Sequence, residues 1–174
     1  TISLTPEDTR GGLAVYLAYA VFFVLLIQRI ETFEDIERIL KWVATAAIVM
    51  ASVGMLQLMF GNGKFLWIYE LPRRDTYVKV NGTFQNQNHF AHFLALGLGP
   101  LIWWLQRLWT LPEQGSRFHS GAARGDLLRQ NWIKLSASIG LGIVLLASLL
   151  TYSRGGVIAV ALVAIMTVAI YFWK

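Results

Sequence analysis

Five apolar runs with few charges divide this chain, and any fold it adopts must satisfy their backbones internally while keeping their side chains from water. They cover 12–30, 42–61, 89–108, 133–152 and 157–173. As helices rising 1.5 Å per residue, runs of this length cross about 30 Å of hydrocarbon. Only 14% of the residues are charged and 56% are hydrophobic, whereas an ordinary soluble domain is about 25% charged. The expected fold class is all-α: a polytopic transmembrane helical bundle of about five spans, with residues 1–174 as a single transmembrane domain. The chain opens at Thr1 and its last apolar run ends at Lys174, so a fragment of a longer polytopic protein is expected. Residues Thr5 to Arg10 lack the cationic start of a signal peptide, so the first run is expected to stay as a membrane helix.

Lysine and arginine report orientation in such a chain. Arg29, Arg38, Lys41, Arg107, Arg117, Arg124, Arg129, Lys134 and Lys174 fall on one side of the alternating connections. The other side holds Arg10, Lys64, Arg73, Arg74, Lys79 and Arg154. The richer side is predicted to be cytoplasmic, which makes 109–132 an inner loop and 62–88 an outer one. Trp42, Trp103, Trp104, Trp109, Trp132 and Trp173 lie near the proposed inner ends, where interfacial aromatics belong. Phe33, Ile36, Ile39 and Leu40 recur at helical spacing opposite acids, predicting a short surface-lying helix that runs into the second span. The glycines and serines of 109–132 predict a flexible connector. A net charge of +5 read this way reports topology, and nucleic acid is a poor partner for it. With no cysteine, disulfide and thiolate chemistry are excluded.

Ser153-Arg154-Gly155-Gly156 puts one permanent charge between the last two apolar runs. At a bilayer centre that charge costs roughly 2.5–3.5 kcal/mol, so it belongs at a helix end facing an interior or a ligand. In the predicted topology spans one, three and five begin on the outer side, presenting unpaired amides and positive dipole ends there. Gly155 and Gly156 leave those amides accessible, and the planar fork of Arg154 suits two phosphate oxygens. The alternative is that Arg154 snorkels to headgroups while the glycines make a tight hairpin. Arg73 and Arg74 add positive charge on the same side, which anionic lipid alone could also explain. At the start of span three, Asn86 or Asn88 can cap the helix. His89 and His92 share a helix face. No Asp or Glu stands near them to complete a metal site, so hydrogen-bonding or packing roles are expected and no metal.

Gly82-Thr83-Phe84-Gln85-Asn86-Gln87-Asn88-His89-Phe90-Ala91, followed one hairpin later by Thr151-Tyr152-Ser153-Arg154-Gly155-Gly156, resembles the O-antigen ligase and polymerase family of bacterial inner membranes. The stretch from Ser3-Leu4 to Thr9-Arg10 is also similar to that family's upstream region, so the likeness covers nearly the whole chain. Two departures stand out: Gln87 occupies a place often held by proline or arginine, and His92 one usually held by a small residue.

The resemblance implies a multi-pass inner-membrane glycosyltransferase that works at the periplasmic face without cofactor or metal. It would move a glycan from undecaprenyl pyrophosphate to an acceptor. That acceptor is lipid A core in ligases, a growing repeat in polymerases and a protein in some relatives. Arginines hold the pyrophosphate in this family, which agrees with the charge reading of Arg154 and extends to Arg73 and Arg74. Gly82, Thr83, Asn86, Asn88 and Ser153 would form the rim. The family's catalytic histidine lies in a large periplasmic loop that no segment here matches, so the catalytic residue stays unassigned and is not transferred to His89 or His92. A reading of another class is a non-catalytic transporter component for a lipid-linked anion. Against it, no internal repeat relates the halves, a feature transporters often carry.

Overall fold

The computed structural model of the chain describes residues 6–62, 64–69, 80–84, 86–110 and 121–172. These residues form five α-helices: α1 Pro6–Arg29, α2 Phe33–Phe60, α3 Gln87–Thr110, α4 Gly121–Leu150 and α5 Arg154–Phe172. The class is all-α. No strand forms among the described residues, and Phe65 and Tyr69 make only an isolated bridge. Three helices, over Glu7–Arg29, Phe33–Phe60 and Leu128–Leu150, are long and apolar enough to cross a membrane.

The chain divides into two compact units, Thr1–Ile39 and Leu40–Lys174. In the first, Glu7 and Asp8 sit at the positive end of α1 and Arg29 at its negative end, the arrangement the helix dipole favours. α2 begins with a reciprocal cap. The Asp35 amide donates to Thr32 Oγ1 at 3.3 Å, while Asp35 Oδ2 accepts from the Thr32 amide at 3.2 Å. This is the capping-box exchange with aspartate in the glutamate position. From there α2 continues unbroken to Phe60, so the amphipathic stretch is helical and runs into the second span, forming its first turns. Nothing between Ile36 and Trp42 is a glycine or proline that would break the run.

In the second unit, α2 turns a stripe of small residues inward: Ala44, Ala47, Ala51 and Gly54 are buried. Small side chains let backbones approach closely, the usual basis of helix association where lipid removes the hydrophobic drive. A Cβ on Gly97 of α3 would collide with Ala47 Cβ, and one on Gly140 of α4 would lie 2.5 Å from Ile48 Cδ1. Phe90, Leu94, Leu98 and Leu101 of α3 complete the core with Val144 and Ala147 of α4, and α3 packs on both α4 and α5. At the far end of α3, Arg107 lies over Trp103 at 5.8 Å and Lys134 of α4 over Trp109 at 5.5 Å. α4 already begins at Gly121; residues 121–132, expected within a flexible connector, are helical because Ala122 to Trp132 contain good helix formers and no proline. Residues 111–120 lie outside the described residues.

Replacing Gly97 with leucine forces Ala47 aside and is expected to destabilise the second unit by about 1–3 kcal/mol. Gly142→Ala, where nothing lies within 4 Å, is expected to be neutral or stabilising. Equilibrium unfolding of the purified protein in mixed micelles compares the two.

Candidate functional site

The polar starts of α3 and α5 meet. Ala91 Cβ occupies the space that a side chain on Gly156 would need, and His92 Nε2 lies 3.4 Å from where a Cβ on Gly155 would sit. Both stretches that suggested a family resemblance are therefore neighbours in space, at the end of the unit where α2 and α4 finish and α3 and α5 begin.

α5 starts in a short turn after Leu150. The Ser153 hydroxyl accepts from the Gly156 amide at 3.0 Å and the Ser153 carbonyl from the Val157 amide at 3.0 Å, which makes Ser153 the N-cap. Thr151 Oγ1 donates to the Ser148 carbonyl at 2.7 Å and accepts from the Ser153 amide at 3.2 Å. Thr151 and Ser153 are both buried. The Gly156 amide is thus engaged inside the cap, and the missing side chain of Gly156 answers to the approach of Ala91. Gly155 is exposed and carries an amide of the first turn, where no intrahelical acceptor exists. Arg154 is also exposed. No hydrogen bond or ion pair joins its guanidinium to another described residue.

The loop before α3 is fastened at several points. The Val80 amide donates to the Leu150 carbonyl at 3.3 Å, satisfying an orphan acceptor at the end of α4. A turn follows in which the Phe84 amide reaches the Asn81 carbonyl at 3.0 Å and Gly82 takes φ +55°. Glycine adopts that backbone without strain, and a Cβ there would meet the Phe90 ring at 2.7 Å. Asn86 caps α3, its Oδ1 accepting from the Asn88 amide at 2.8 Å. The Phe84 ring packs 5.7 Å from Phe90 and 5.5 Å from Phe93. Thr83, Asn86, Asn88, His89 and His92 are exposed, with the Thr83 hydroxyl 3.6 Å from Met50 Sδ. Arg73, Arg74 and Gln85 lie outside the described residues.

Gln57 is a residue the sequence reading passed over. It extends the buried small-residue stripe of α2 by one turn. With its amide turned to satisfy both polar atoms, it donates to the Gly82 carbonyl at 3.0 Å and accepts from the Leu66 amide at 3.0 Å. A lone amide inside the second apolar run, in helical register with Ala47, Ala51 and Gly54, was the available signal. The segment 64–69 is anchored further by the Trp67 indole, which donates to the Phe60 carbonyl at 2.8 Å, and by Asn62 Nδ2, which donates to the Trp67 carbonyl at 3.1 Å.

Three described non-glycine residues have positive φ: Leu66 at 49°, Trp67 at 64° and Tyr152 at 53°. Left-handed backbone costs an L residue about 1–2 kcal/mol. For Leu66 and Trp67 the bonds to Gln57 and Phe60 offset it. Tyr152 makes a backbone bond to the Leu149 carbonyl at 3.2 Å, but the residue is 66% exposed and its hydroxyl bonds no described residue.

The chain matches no family model, no curated protein and no solved structure. The geometry does support a local expectation: Gln57→Leu leaves the Gly82 carbonyl and the Leu66 amide unpaired at a buried position, and should cost about 1–3 kcal/mol. The same micellar unfolding titration measures this, and a loss below about 0.5 kcal/mol contradicts the clamp.

Proposed function

We propose that the chain is a multi-pass membrane glycosyltransferase of the O-antigen ligase type. It would span a bacterial inner membrane five times and transfer a glycan from undecaprenyl pyrophosphate to an acceptor, lipid A core, at the periplasmic face. The observation that carries this reading is the meeting of the two family-like stretches, with His92 of one against Gly155 of the other and an exposed Arg154 beside them. Two helix N-termini and a guanidinium on one rim create positive potential without a permanent negative partner among the described residues. A diphosphate suits such a rim, since the fork of arginine pairs two phosphate oxygens and a first-turn amide adds a donor.

In the proposed reaction an acceptor hydroxyl oxygen bonds to the anomeric carbon. The bond from that carbon to the phosphate oxygen breaks, its electron pair leaves with undecaprenyl diphosphate, and the hydroxyl proton passes to a general base. Negative charge grows on the departing diphosphate, so Arg154 and the Gly155 amide stabilise the transition state more than the ground state. Gly156 and Ser153 support them from within the helix cap, and Asn86 orders the facing rim. Arg73 and Arg74 would recruit the donor from the same loop.

Arg154→Ala is expected to lower glycan transfer roughly tenfold or more in membranes charged with lipid-linked glycan, at unchanged protein level. Arg154→Lys is expected to recover only part of it, since a point charge lacks the fork. Full transfer by Arg154→Ala contradicts the reading. Loss of donor binding in a protein that releases no undecaprenyl diphosphate favours a non-catalytic carrier.

A further inference from the structure

We infer that Tyr152 is a substrate-contacting residue, whose ring packs against the sugar nearest the diphosphate; this rests on the function proposed above. The turn from α4 to α5 needs a left-handed residue at 152, where φ is 53°. Glycine or asparagine meets that need with less strain. The sequence instead places tyrosine there, and its side chain makes no hydrogen bond or ring contact with another described residue. The residue is 66% exposed. At the other two strained positions the bonds reach α2, from the Leu66 amide to Gln57 and from the Trp67 indole to the Phe60 carbonyl, whereas the Tyr152 side chain bonds no described residue. The bonds of the turn hold the backbone angle at 152 but do not call for a tyrosine there, and a strained, exposed aromatic points to a role outside the fold.

The position defines the ligand. Burial alternates through the turn: Thr151 and Ser153 are buried, Tyr152 and Arg154 exposed. Tyr152 and Arg154 therefore lie on the outward side of the turn, with Cα atoms at most about 7 Å apart. That is the scale of one hexose joined to a phosphate. A ligand whose diphosphate is held by Arg154 brings its first sugar within reach of the neighbouring ring. The C–H face of a pyranose suits the electron-rich face of an aromatic ring, and the phenol hydroxyl can meet a sugar hydroxyl. An isoprenyl chain needs only apolar contact and would be served equally by leucine.

The test compares Tyr152→Gly, Tyr152→Leu and Tyr152→Phe with Arg154→Ala in the full-length protein, reading glycan transfer per molecule and the melting temperature in detergent. Tyr152→Gly is expected to melt no lower than the unsubstituted protein yet to lose transfer roughly tenfold. Tyr152→Leu should lose as much, and Tyr152→Phe should recover most of it. Normal transfer by Tyr152→Gly overturns the inference, as does a loss matched by a fall in melting temperature, which marks a structural role. Normal transfer by Tyr152→Leu overturns the sugar contact in favour of an isoprenyl one. Reduced insertion with normal transfer per molecule overturns it in favour of an interfacial anchor. If Arg154→Ala loses transfer while Tyr152→Gly does not, only this inference fails; if neither loses it, or the unsubstituted protein transfers nothing, the function proposed above fails as well.

Discussion

The contact between Ala91 of α3 and Gly156 of α5 is the constraint on which the arrangement of this end of the molecule depends. A side chain at 156 has no room, so the two helices can approach at their first turns only because the first turn of α5 carries glycine there. That approach sets His92 against Gly155 and leaves Arg154 at the rim. It also means that the positive ends of two helix dipoles are presented together. Unfavourable in isolation, such a pairing becomes an asset where an anion is to be held.

The remaining contacts of this end restrain the loop that feeds α3. Gln57 reaches from a stripe that is otherwise alanine and glycine to hold Gly82 and Leu66, and Leu150 of α4 accepts from Val80. Three helices thereby restrain one short turn, whose glycine is pressed on the Phe90 ring. A buried amide with both polar atoms paired is a stable device in an apolar surround, whereas half-paired it would be a liability. The rim residues can be exposed and polar because those beneath them, Thr151, Ser153, Val80 and Phe90, are buried.

Helical class was legible in the sequence because long apolar runs admit few other solutions. The sequence offers two asparagines for the N-terminal cap of α3, and Asn86 fills it because its side chain precedes the first helical turn. The helical start of α4 is not legible in the sequence, since Gly121 and Gly125 among basic residues look like a connector until the helix formers between them are weighed. The sequence showed Gly155-Gly156 as accessible amides; it could not show that Ser153 already engages one of them or that Ala91 requires the second glycine, because both follow from tertiary approach. Gln57 left a visible trace as a polar residue on an apolar face. Tyr152 left none, because its backbone angle is imposed by the turn between two helices. Arg73 and Arg74 lie outside the described residues and rest on the charge reading alone.

The central claim is that the start of α3 and the start of α5 meet, and the absence of cysteine from these 174 residues makes it directly measurable. With His92→Cys and Gly155→Cys introduced together, a short bifunctional thiol reagent applied to native membranes should join the two positions within one chain, while His92→Cys paired with Gly142→Cys should stay unjoined. Failure of the first pair to join, with both thiols shown to react singly, would contradict the account.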